Sequence, residues 1–118
     1  MPTICTLGHP SIRTEFTYTG SVVGGVTLAY TGQPFVSKYF FGMIIKTFQD
    51  QTVPGGFNMA NPPAGGFGEW VQNNSTQYNT EKLSPRHASH IAAILENEGY
   101  LTSILVGKAV ILSFNHIP

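Results

Sequence analysis

The stretch that most constrains the fold is Leu83 to Gly99, LSPRHASHIAAILENEG. Ser84 followed by Pro85 reads as a helix N-cap and first helical residue, because the hydroxyl accepts an orphan N–H and proline is pre-set at helical φ. Ala88, Ile91, Ala92 and Leu95 fall at i, i+3, i+4 and i+7, an apolar stripe that has to be buried. Gly99 supplies the left-handed position where such a helix stops. The spacing therefore predicts a helix of roughly four turns that the rest of the chain must cover.

The first turn of that helix concentrates the polar chemistry: Arg86, His87, Ser89 and His90. Free N–H groups and the positive end of the helix dipole suit an anion, and arginine adds a planar donor fork. Arg86, His90 and Asn97 share one face, through positions 93 and 94, while His87 leans toward the apolar stripe. Two readings stand side by side. Ser84, Arg86 and the helix N–H groups cradle a phosphate or carboxylate, or Arg86 pairs with a surface carboxylate, His87 sits at the core edge and His90 faces solvent. Pro85 removes one donor from the cradle.

Length and charge narrow the classes. A chain of 118 residues is read as a single domain, 1–118, with one modest core. Six basic and six acidic residues leave a formal charge of zero, and charged residues are only 10% of the chain. Such a surface argues against DNA or RNA polymers, which need a basic stripe, and against attachment to anionic membranes. It favours association between copies, so a homo-oligomer is expected. Cys5 is the lone cysteine, the start of the chain has no basic and apolar leader pattern, and the apolar run Phe40–Ile45 is far too short to cross a membrane. A soluble, cytoplasmic protein is expected.

In chain order, Thr3–Leu7 is a possible short strand, followed by a turn at Gly8-His9-Pro10. Glu15–Thr19 alternates as a strand, Gly20-Ser21 turns the chain, and Val22–Tyr30 reads as the partner strand with Val22, Val26, Leu28 and Tyr30 on one face. Gly24-Gly25 marks a bulge or a close approach. Phe35–Phe48 reads as two strand segments divided at Gly42, with Lys38 and Lys46 as its charges, each an edge guard or an anion partner. Asp50–Gly68 is a long Gly/Pro-rich loop with Phe57, Asn58, Met59 and Phe67 set in it, a lid or a subunit contact. A short helix from about Gly66 to Asn74 follows on the spacing of Phe67, Trp70, Val71 and Asn74. Asn73–Asn79 is read as a polar connector. Leu101–Val106 and Ala109–Phe114, joined by Gly107-Lys108, form a hairpin. The fold class is α+β: a mostly antiparallel sheet, two helices packed on one face, and a C-terminal hairpin.

The chemistry available to these residues is limited. His87 and His90 are three apart, without the i, i+4 spacing and intervening glutamate of a zincin, so no metal site is expected. No GxSxG, GK[ST] or GxGxxG motif occurs. No cofactor is expected either. A metal-independent ribonuclease or phosphodiesterase using His87 and His90 as acid and base, with Arg86 or a lysine on the phosphorane, is one alternative. A purely structural assembly protein is another. The composition suits capture better: phosphates to Ser84, Arg86, Ser89 and the histidines, a flat ring on Phe57, Phe67 or Trp70, and Asn58, Asn73 or Asn74 at its edge.

The order of elements over most of the chain, together with Arg86 at the helix start, resembles the small phage anti-Thoeris proteins that sequester cyclic nucleotide signals. The resemblance implies an oligomer that holds a cyclic ADP-ribose-like or cyclic oligonucleotide ligand without turning it over, in the cytoplasm of an infected host. The hairpin 101–114 departs from that pattern.

Overall fold

The computed structural model describes residues 3–5, 15–29, 35–55, 66–78, 83, 85–106 and 109–115. They form seven strands and three helices: β1 (Thr3–Cys5), β2 (Glu15–Ser21), β3 (Gly25–Ala29), β4 (Phe35–Val36), α1 (Lys38–Phe48), β5 (Thr52–Pro54), α2 (Phe67–Tyr78), α3 (Pro85–Asn97), β6 (Leu101–Val106) and β7 (Ala109–Phe114). This is an α+β fold with a C-terminal hairpin. The antiparallel pairing is split between two sheets, one ordered β1-β2-β3-β4 and one ordered β5-β7-β6.

The first sheet is a meander. Thr17 faces Ala29 and Gly20 faces Val26 across the β2–β3 pair. Val26 and Leu28 are fully buried on one face, as the alternation predicted. The turn lies two residues later than Gly20-Ser21, at Val22–Gly24, where Gly24 N–H donates to Ser21 O at 3.2 Å. Gly20, expected in the turn, is instead a close approach, with φ +95° and the Gly25 carbonyl oxygen 2.1 Å from where a β-carbon would stand. In the second sheet Val106 faces Ala109, so the hairpin closes over two residues as expected.

Three expectations are corrected. The run Phe35–Phe48 is a two-residue strand and then helix α1, not two strand segments. Ser37 is its N-cap, its hydroxyl accepting from Phe40 N at 3.1 Å, and Phe40, Phe41, Ile44 and Phe48 form its buried face. The expected loop 50–68 contains β5, which pairs with β7 from Val53↔Leu112 outward. Phe57, Asn58 and the lid reading lie outside the described residues. The polar connector from Asn73 is helical as far as Tyr78, so α2 is a turn longer than its apolar spacing indicates.

The core is organised around α3. From Ala88 to Leu95 every residue is buried, so this helix is covered on all sides rather than along one stripe. It touches α2, β1 of the first sheet and β6 of the second. Its end is a Schellman motif: Tyr100 N–H donates to Leu95 O at 2.8 Å and Gly99 N–H to Glu96 O at 3.1 Å, with Gly99 at φ +90°. A second aromatic cluster joins α1, α2 and β7. Phe48 stacks on Phe114 with centroids 5.2 Å apart and meets Phe67 and Trp70 at 5.6 and 5.5 Å.

Candidate functional site

The residues expected to form a phosphate cradle are dispersed or covered where they are described. Arg86 lies in the first turn of α3, with no acidic residue in that turn, but its side chain and all of Ser84 are outside the described set. Ser89 is buried. His90 is only 4% exposed and presents its ring to the Phe16 ring at 4.7 Å, edge to face. The face read as polar, through Ala93 and Ile94, is therefore packed inward, against the expectation that His90 lies on an open face. His87 is half-buried, and its ring centroid lies 6.5 Å from that of His90. The two histidines do meet, but an acid–base pair needs both nitrogens within reach of one substrate, and His90 is under Phe16. Among the described residues no group of three His, Cys, Asp or Glu side chains could hold a metal ion.

The expected ring-stacking residues are core. Phe67 is fully buried between Phe48 and Phe114, so it has no face to offer a ligand. Trp70 is partly buried against Phe40 and Phe48. Asn74 turns its amide back to Trp70 O at 2.9 Å, inside its own helix.

Two features that the sequence reading passed over come together elsewhere. The first is a polar knot at the end of α3. The Tyr18 hydroxyl donates to Glu98 Oε2 at 2.9 Å, Val22 N–H donates to Glu98 Oε1 at 3.0 Å, and Asn97 Nδ2 donates to Tyr18 Oη at 3.2 Å. Ser103 donates to Glu96, two residues before Glu98. Burial holds the Tyr18 phenol above its ordinary value of 10.0, and the Glu98 carboxylate pushes the same way, while the Asn97 amide opposes both. The knot fixes Val22, and with it the β2–β3 turn, to the end of α3.

The second is an apolar groove beside that turn, with a volume of about 550 Å³. Val22 and Val23 of the turn and Tyr100, fixed by the Schellman motif, belong to its lining. The outward face of α1 supplies Lys38, Tyr39, Gly42, Met43 and Ile45. The volume falls within the range of roughly 300–1,000 Å³ usual for small-molecule sites. Tyr39 is 70% and Val23 75% exposed, so large apolar groups stand open to solvent at its mouth. Among the described residues of the lining Lys38 is the only charged one, with Nζ 5.4 Å from the centroid of the Tyr39 ring. Gly42 sits mid-helix, and none of the described residues packs within 4 Å of where its β-carbon would be.

Fold and groove together define a small α+β domain with a preformed apolar cleft. No protein-family model, curated protein or solved structure matches the chain. No helix among the described residues is long and apolar enough to cross a membrane.

Proposed function

We propose that this protein captures a small molecule without turning it over, and that the ligand lies in the groove over α1. The observation that carries the reading is Gly42. A glycine inside a helix costs about 0.5–1 kcal/mol relative to alanine. Here no described residue fills the space for a side chain, so packing among them does not require the glycine. Its absent side chain deepens the groove between Tyr39, Met43 and Val22. The Glu98 and Gly99 contacts support the same reading, because they hold the Val22 and Tyr100 walls in place before any ligand arrives.

A second reading places a nucleotide at the start of α3, as the resemblance to anti-Thoeris proteins implies, with an oligomer in the cytoplasm completing the site. What favours it is Arg86 in the first turn of a helix that has no acidic residue there. A single experiment separates the two. The wild type and Gly42→Leu are titrated with N-phenyl-1-naphthylamine, a neutral fluorescent aromatic, and incubated with a panel of mono- and cyclic nucleotides followed by gel filtration and mass spectrometry. The groove reading expects saturable probe binding that Gly42→Leu abolishes while near-ultraviolet dichroism is unchanged. No saturable binding, or equal binding by Gly42→Leu, overturns it. An intact nucleotide retained by the wild type and Gly42→Leu but lost from Arg86→Ala moves the site to α3.

A further inference from the structure

Resting on the groove reading, we infer the ligand's class: an amphipathic monoanion, an apolar body carrying one acidic group, with that group paired to the Lys38 ammonium. The body follows from the walls, since Val22, Val23, Gly42, Met43 and Ile45 offer it no side-chain hydrogen bond. The head group follows from Lys38, the one charge among the described lining residues, which stands at one end of the α1 face.

Lys38 is the first residue of α1, where the helix dipole disfavours a cation, and no acidic side chain in that turn compensates it. Its stem and ammonium lie instead toward Tyr39, whose ring face is a favourable neighbour for a cation at 5.4 Å. Two positions of one helix, Lys38 and Gly42, thus hold residues that the helix alone would not select. Both line the same groove, one removing volume from the floor and one adding charge at the end. A ligand with an apolar body and a single anion uses both. One cation suits one negative charge, and a ligand with several phosphates would leave the others in an apolar cleft without partners.

A matched pair of probes tests the class. 1-Anilinonaphthalene-8-sulfonate and N-phenyl-1-naphthylamine share one aromatic body and differ by the sulfonate. They are titrated by fluorescence into the wild type, Lys38→Met and Lys38→Arg, at low and high salt, with near-ultraviolet dichroism confirming the fold. The sulfonate is expected to bind the wild type about two- to fivefold tighter than the neutral probe, the ratio that a solvent-exposed ion pair gives toward the upper part of its usual range. Lys38→Met and high salt should each remove the advantage, and Lys38→Arg should restore it, while the neutral probe is insensitive to all three. If both probes bind the wild type alike and Lys38→Met changes neither, the anionic class is wrong and the groove reading stands. If neither binds, the groove reading itself falls. A wild type that is dimeric, takes no probe, and becomes monomeric on Tyr39→Ser would give the groove to a second copy of the chain and overturn the ligand assignment.

Discussion

Helices α1 and α3 are close in length and differ in what surrounds them. Both begin without an acidic residue in the first turn, and α1 is the more apolar by inspection, KYFFGMIIKTF against PRHASHIAAILEN. Yet α3, with its serine and histidines, is buried on every side between Ala88 and Leu95, while α1 leaves Tyr39 and Gly42 exposed and Met43 and Ile45 only partly covered. Apolar content therefore does not tell which helix is the structural one. Side-chain size does. Alanines at 88, 92 and 93 let α2 and both sheets approach α3 closely, whereas the rings of α1 that are buried, Phe40, Phe41 and Phe48, pack on one side of that helix. One helix is the scaffold and the other presents a surface.

The sharpest way to break that contrast is to truncate α3 on the side that the sequence pattern marks as polar. Ile94→Ala should cost roughly 2–5 kcal/mol in denaturant unfolding, the range for buried aliphatic truncations. A loss below about 0.5 kcal/mol, usual for exposed positions, would mean that this face is open after all.

Next in size is the knot at the end of α3. Glu98→Ala removes the acceptor of Tyr18 O–H and of Val22 N–H, and should cost about 1–3 kcal/mol. It should also loosen the Val22 wall, so probe binding weakens along with stability. The same knot carries a pH signature. Tyr18 is held above 10.0 in the fold, so the unfolded chain gives up this proton first as pH rises. Its contribution is fully present below about pH 10 and is lost as pH climbs through the folded value. Tyr18→Phe should therefore flatten the fall in stability above about pH 10 relative to the wild type, and an unchanged slope would sink the assignment.

Gly42→Ala reverses the sign. With open space at the β-carbon, alanine should stabilise the protein by about 0.5–1 kcal/mol while weakening probe binding. A variant that gains neither stability nor a binding defect would remove the argument that the glycine serves the groove.

Much of this architecture was legible in the sequence, and the failures have physical causes. Pro85 and Gly99 bracket α3 because proline and left-handed glycine act locally, whatever the tertiary surroundings. The hairpin was legible for the same reason, its two-residue loop fixing the register. Helix α1 was misread because Phe, Tyr and Ile favour strands, although Ser37 and the spacing of Phe40, Ile44 and Phe48 carried the helical signal. His90 was misplaced because a helix with one evident stripe looks amphipathic, and nothing local reveals that Phe16 of β2 covers its other side. Glu98 and Tyr18 are 80 positions apart, and no sequence spacing joins them. The groove left one trace, Tyr39, Gly42 and Met43 at i, i+3 and i+4, which reads as a helical face only once α1 is known to be a helix.

The smallest effect on stability is the most telling about function. Tyr39 is 70% exposed and lines the groove beside Lys38. Tyr39→Ser should therefore change unfolding free energy by no more than about 0.5 kcal/mol, the spread for surface positions. If the ring is there to cover a ligand, the same substitution should weaken the neutral and the anionic probe together, because it removes apolar contact from the body that they share. Weakening of the anionic probe alone would instead mean that Tyr39 acts only by steadying the Lys38 ammonium. A large loss of stability would make the ring part of the core, and α1 would then be a second scaffold helix rather than the surface that distinguishes it from α3.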